Sequence, residues 1–170
     1  MDVMEAILKR RSIRRYKDKP IEKAKLNRVL EAGRQAPSAG NTQPWKIVVV
    51  TDPDTRRKLA HAARDQDFVA QASAVLVGCA EKTDKVMTCG QTAYPIDVAI
   101  CLTTMSLAAV GEGLGTCWVG AFHEDQVKEI LGIPAEVRVV ELMPLGYPAE
   151  DPPARARKPM DEFMATDRWS

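Results

Sequence analysis

Two stretches hold residues whose types and spacing could bind and position a reactive ligand. In Arg10-Arg11-Ser12-Ile13-Arg14-Arg15-Tyr16 a serine sits inside a basic cluster made of Lys9, Arg10, Arg11, Arg14 and Arg15. Guanidinium groups present planar forks that hold a phosphate bidentately, and a hydroxyl adds a neutral donor. The cluster also reads as a solvated helix end, because cations favour the C-terminal end of a helix dipole. In Pro37-Ser38-Ala39-Gly40-Asn41-Thr42-Gln43-Pro44-Trp45, two prolines bracket a turn that carries Ser38, Asn41, Thr42 and Gln43. Amide side chains both donate and accept, as the edge of a planar heterocycle requires. The alternative is a plain turn that leads Trp45 into a buried strand. A phosphate clamp and a donor-rich turn together suit a planar cofactor that carries a phosphate.

Several elements must position these stretches. Asp2 with Glu5 resembles a capping box opening a helix through about Arg10. A second helix is expected over Glu22 to Gln35, with Leu26, Val29 and Leu30 on one stripe and Pro37 as its stop. Lys46 to Thr51 and Ala74 to Ala80 read as strands, with a helix from Asp54 to Arg64 between them. Glu81 to Thr92 is a polar loop. The apolar segment from Tyr94 to Val110 is helical in composition and ends at Gly111, Gly113 and Gly115. A strand near Thr116 to Val119, a helix from His123 to Gly132 and a last strand from Val137 to Leu145 follow. Glu150 to Pro159 carries three prolines and is too polar and stiff for a core element. Strands separated by helices of unequal length predict one α/β or α+β sandwich around a single sheet, whose strand order the pattern leaves open.

Composition narrows the function. A chain of 170 residues at 45% apolar content can bury an independent core. The formal net charge of +1 draws the protein to neither nucleic acid nor an acidic membrane. The arginines are not interleaved with stacking aromatics, against a nucleic-acid module. No segment approaches the roughly 20 apolar residues of a membrane span, and the acidic, amphipathic N-terminus does not read as a signal peptide. Cys79, Cys89, Cys101 and Cys117 lack C-x-x-C spacing, and only His61 and His123 could join them. No metal site is expected, and reduced thiols in a cytoplasmic protein are the better reading. The glycines at 111–115 follow a helix and precede a strand, the reverse of a dinucleotide fingerprint.

The order R-R-S-x-R-x-Y, then P-S-x-x-N-x-Q-P-W, resembles the N-terminal signature of the nitroreductase family of FMN enzymes. The segment Glu112 to Phe122 is similar to the family's G-L-G-x-C-W-x-G, and Gly146-Tyr147-Pro148 with Arg155, Arg157 and Lys158 to its G-Y-P and basic tail. The resemblance runs to about Pro159.

It implies an α+β fold of nitroreductase type, a mixed or antiparallel sheet flanked by helices, in an intertwined homodimer. One domain spans 1–170, and 149–170 is a tail that wraps the partner subunit. The resemblance gives Arg10 and Ser12 the FMN phosphate, with Arg11 at the same site and Arg155 and Arg157 closing over it. Arg14 approaches the N1 and O2 edge. Pro37, Ser38, Ala39, Asn41 and Gln43 come from the partner subunit. Gly120 and Ala121 lie beside N5 and offer backbone N–H groups, Val119 is a further cofactor-binding residue, and Gln66 stands for a polar contact to O2 or N3. NAD(P)H would reduce the flavin and an electron-poor acceptor, a nitroaromatic or a quinone, would oxidise it. No side chain is assigned to catalysis, because the cofactor carries the chemistry. The alternatives are an FMN carrier or sensor without turnover, and a flavin-cleaving or dehalogenating relative of the same fold.

Overall fold

The computed structural model describes residues 1–169. Along the chain run α1 (Val3–Lys9), α2 (Lys23–Arg34), β1 (Trp45–Val50), α3 (Pro53–Ala62), α4 (Asp67–Gln71) and β2 (Ala74–Ala80). They are followed by α5 (Ala93–Gly111), β3 (Gly115–Thr116), α6 (Glu124–Leu131), β4 (Arg138–Gly146) and α7 (Met160–Phe163). Local chemistry explains several starts. Asp2 Oδ1 accepts from the Glu5 N–H at 2.8 Å and opens α1. Asp52 does the same for Thr55 at 2.8 Å, with Pro53 as the first residue of α3, where its missing N–H costs no hydrogen bond.

The sheet runs β1-β2-β4-β3, antiparallel at every pairing. Trp45, Ala80 and Arg138 align at one end, and Val50, Ala74, Leu145 and Thr116 near the other. Ser12 makes a parallel bridge to Thr116, so the stretch after α1 extends the sheet beyond β3. Ile13 N–H donates to Thr116 O at 2.9 Å there. The α+β class is as expected, and the parallel element is confined to that outer edge.

The central strand β2 is buried at all seven positions, and alternate residues feed two cores. Val75, Val77 and Cys79 pack towards α3, α4 and α6 with Leu59, Val69 and Val127. Leu76 and Ala80 pack towards α2 and α5 with Val29, Val98, Leu102 and Met105. Gly33 lets those two helices close: a Cβ there would stand 2.6 Å from Met105 Sδ.

Two short helices were not anticipated and two expectations need correction. The helix α4 was not anticipated, because five residues carry too little periodicity to register. The strand expected over Thr116 to Val119 pairs only at Gly115–Thr116 and again at an isolated bridge from Val119 to Leu142. The tail forms a short helix, α7, past its prolines. Finally, α5 is, at 19 residues and mean hydropathy 1.6, long and apolar enough to cross a membrane by length and composition. In this fold eight of its residues, Asp97 among them, are buried against the rest of the chain.

Candidate functional site

A cleft of about 520 Å³ opens where α1 gives way to the outer edge of the sheet. Arg10, Arg11, Ser12 and Arg14 line it from one side, and Pro152, Arg155 and Arg157 from the tail. Ile13 and Tyr16 fix the backbone between them. Both are buried with Ala72, and Tyr16 Oη donates to Ile13 O at 2.8 Å. Alternation then turns Ser12 and Arg14 away from that core.

The cations are not used alike. The Arg11 guanidinium donates to Leu8 O at 2.7 Å, Arg10 O at 3.0 Å and Pro152 O at 3.2 Å, so it ties the tail to α1. Arg14 lies over the Phe68 ring at 5.9 Å, and its backbone N–H donates to Glu150 Oε1 at 2.6 Å. Among the described residues none of Arg10, Arg11, Arg14, Arg155 and Arg157 forms an ion pair, whereas Arg28, Arg34 and Arg138 each hold a carboxylate. Five unneutralised guanidinium groups around one cleft make a site for an anion with several acceptor oxygens. Burial pushes the nearby Cys117 thiol up, against the opposing influence of Arg14, Ser12 and Arg10.

The same chain brings Gln66 and the 119–121 segment together. Gln66 Nε2 donates to Ala63 O at 2.7 Å and to Ala121 O at 3.2 Å, while Val119 is locked to Leu142 by backbone bonds of 2.9 and 3.1 Å. Gly120 and Ala121 follow as an exposed stretch without regular structure.

The Pro37–Gln43 turn lies elsewhere. It enters β1 at Trp45, which is on the opposite edge of the sheet from Ser12 and at the opposite end. Four strand spacings and the length of β1 put the two stretches roughly 25 Å apart. The turn is organised by its own side chains. Ser38 Oγ accepts from the Gln43 N–H at 2.9 Å, and Gln43 Nε2 donates to Asn41 Oδ1 at 3.1 Å. Asn41 and Gln43 hold φ of 55° and 45°, a conformation that asparagine tolerates better than most residues and that glutamine does not favour. Below, the buried Asp97 accepts from the Ala39 N–H at 2.9 Å, and Lys85 Nζ reaches Ala39 O.

Sequence reasoning missed Asp97, Lys85, Phe68 and Glu150 as supports. Asp97 had a signal, a single acid in an otherwise apolar helix. Phe68 comes from the short helix α4 and Lys85 and Glu150 from loops, all without a local pattern.

Residues 7–147 match the Nitroreductase family model. The chain is 34% identical to an NADH dehydrogenase of Thermus thermophilus over 96% of its own length and 95% of the relative's. Among solved structures, nitroreductase A of Vibrio parahaemolyticus superposes with a TM-score of 0.92 at 30% identity, over 100% of this chain and 77% of that one. The NADPH:FMN oxidoreductase of Vibrio harveyi, solved with NAD+, gives 0.91 at 30% identity over 99% and 78%. The chain belongs to the nitroreductase family.

Proposed function

We infer that the protein is an FMN-dependent oxidoreductase that passes reducing equivalents from NAD(P)H to an electron-poor acceptor such as a nitroaromatic or a quinone. The observation that carries this is the cleft: arginines from both ends of the chain converge on it without a carboxylate partner among the described residues. A phosphate monoester supplies the charge and the acceptor oxygens that such a cleft lacks. The family's members include an NADPH:FMN oxidoreductase, in keeping with FMN as that ester.

When bound, FMN supplies the two-electron chemistry, and the protein supplies binding, orientation and field. Arg10 and Ser12 hold the phosphate, Arg155 and Arg157 cover it, and Arg11 keeps the tail in place for them. Arg14 offers a cation to the N1 and O2 edge, where it favours negative charge on reduction. Gly120 and Ala121 give backbone N–H groups to the N5 side, and Gln66 fixes that stretch through Ala121.

The donor turn at 37–43 completes the site from a second chain. A turn roughly 25 Å from the cleft cannot serve the same ligand within one protomer, but a two-fold axis would deliver it from the partner and create two equivalent sites. Val3, Met4, Ile7 and Leu8 on α1, and Met160, Phe163 and Met164 in the tail, are exposed apolar residues. They suit an interface that the tail wraps. The free state of Cys79, Cys89, Cys101 and Cys117 fits a cytoplasmic enzyme.

The test is the visible spectrum of the purified protein, chromatography of the heat-released flavin, and oxidation of NADH and NADPH with nitroaromatic and quinone acceptors. FMN release with turnover is expected. FAD alone would overturn the phosphate assignment, and FMN retention without oxidation of either donor would mark a carrier.

A further inference from the structure

β4 sets one acid in an apolar run, Val139-Val140-Glu141-Leu142-Met143. Glu141 pairs with Gly78 of β2 on one side. On the other, the register shared by Thr116 with Leu145 and Val119 with Leu142 places Gly120 opposite it. Cross-strand partners project to one face, so this carboxyl stands between two positions that lack a side chain. The two glycines differ in their cover. A Cβ at Gly78 would meet Leu102 Cδ1 at 2.8 Å and Val98 Cγ1 at 2.9 Å, so α5 closes that side. A Cβ at Gly120 would meet only the Glu141 carboxylate, Oε2 at 3.7 Å and Oε1 at 3.8 Å. Gly120 is exposed, while Glu141 Oε1 is sealed from solvent without a hydrogen-bond partner.

We propose that Glu141 tunes the affinity for FMN held over Gly120: when ionised it repels the negative charge of the reduced cofactor, and when neutral it does not. The proposal rests on the reading of Gly120 as a neighbour of FMN. Two further facts support it. Burial pushes this carboxyl up to about 7, with the Val119 backbone opposing, so its charge changes near neutral pH. On the β2 and α5 side its cross-strand partner Gly78 is faced by Val98 and Leu102, both uncharged. From the β3 side come Val119, Gly120 and, further off, the Cys117 thiol, which in turn feels Arg14 and Arg10.

The experiment compares wild type with E141Q, which keeps the shape and never ionises. The ratio of reduced to oxidised FMN affinity is measured anaerobically at about pH 5.5 and about pH 8.5, on either side of the titration. Protonation of the FMN phosphate affects both redox states and cancels in this ratio. The wild-type ratio is expected to fall about tenfold more over this range than that of E141Q, as a unit charge at short range in a partly buried site would cause. A second measurement needs no variant: 13C NMR titration of the Glu141 carboxyl in the wild-type holoprotein. By reciprocity its midpoint lies about one pH unit higher with reduced FMN than with oxidised FMN. Equal ratios in the two proteins, or an unmoved midpoint, overturn the role of Glu141 while leaving the FMN assignment intact. A wild-type protein that binds no FMN overturns both.

Discussion

Arg11 is joined to Pro152 across 141 positions of sequence, whereas Ser38, Asn41 and Gln43 bond one another within five. The cleft is assembled by long-range closure, and none of its guanidinium groups is held in an ion pair among the described residues; Glu150, bonded to the Arg14 backbone N–H, is the carboxylate at its edge. The turn is shaped mainly by its own uncharged side chains, which use part of their hydrogen-bonding capacity on one another, while Asp97 and Lys85 tie Ala39 to the rest of the fold. A ligand anion therefore stabilises the first by supplying missing charge, whereas the second is shaped beforehand and contributes pre-organised contacts. On the proposed shared site the difference would also divide the work between chains: a charged clamp on one corner of the sheet and an amide-bearing edge-reader on the other.

The sharpest way to break this division is to mix two variants. If each site draws the clamp from one chain and the turn from its partner, Arg10→Ala and Asn41→Ala homodimers each have two faulty sites. In a mixed dimer one pocket receives both faults and the other receives neither. After dissociation and reassociation, random pairing restores activity to about a quarter of the wild-type level, since half the dimers are mixed and each holds one intact site. No recovery, with mixed dimers verified by mass, would mean that each chain completes its own pocket.

The next effect belongs to the clamp alone. Arg10→Ala is expected to weaken FMN binding by about 10- to 100-fold, the loss of a charge-assisted bond worth about 1.5–3 kcal/mol. Arg15→Ala, one residue beyond the cleft's lining, is expected to change it less than about twofold. Fluorescence titration of the apoprotein checks both, and equal losses would return the cluster to a solvated helix end.

What was legible beforehand follows the same line between local and long-range. The cap at Asp2, the wholly buried run of β2 and the span of α5 announce themselves through neighbours in sequence. So does the basic cluster, as a cluster. That Ser12 meets Thr116, or that the turn and the clamp occupy opposite corners, depends on strand order, and strand order is set by pairings between distant segments. β3 was over-extended for a related reason: Cys117 and Trp118 have strand-like side chains, but the chain pairs only on either side of them. Glu141 stands as an acid in an apolar strand, a signal that sequence reasoning missed, and only the register that sets it beside Gly120 points to a role.

A smaller effect tests how the turn is held. Asp97 is 2% exposed and accepts the Ala39 N–H. Asp97→Ala leaves that donor without its partner, and a lost buried bond of this kind costs about 1–3 kcal/mol. Part of this appears as faster hydrogen exchange at Ala39, and part as FMN binding weakened by roughly five- to tenfold. Asp97→Asn retains an acceptor oxygen and stays within about twofold of wild type. If Asp97→Ala matches wild type in both FMN binding and exchange at Ala39, Asp97 has no part in shaping the turn.

The smallest effect comes from an arginine that already has its partner. Arg28 holds Glu112 through two bonds, Nε to Oε1 at 2.6 Å and Nη2 to Oε2 at 2.7 Å, just past the end of α5. Arg28 keeps the Glu112 carboxyl below the usual carboxylate range, against the opposing influence of burial. A folded-state value below the unfolded one gives stability that is present above the unfolded value, near 4.5, and is lost as pH falls through the folded value. The pair is largely open to water on the arginine side, at 57% exposure, so solvent screens most of the attraction. Arg28→Ala is therefore expected to lower the melting temperature at neutral pH by no more than about 2 °C. The difference should vanish in acid, where Glu112 is protonated in both folded and unfolded chains. FMN affinity should not move at all, because this guanidinium is already neutralised and stands outside the cleft. A loss of FMN binding in Arg28→Ala comparable to that in Arg10→Ala would show that the absence of a carboxylate partner is not what marks the arginines of the clamp.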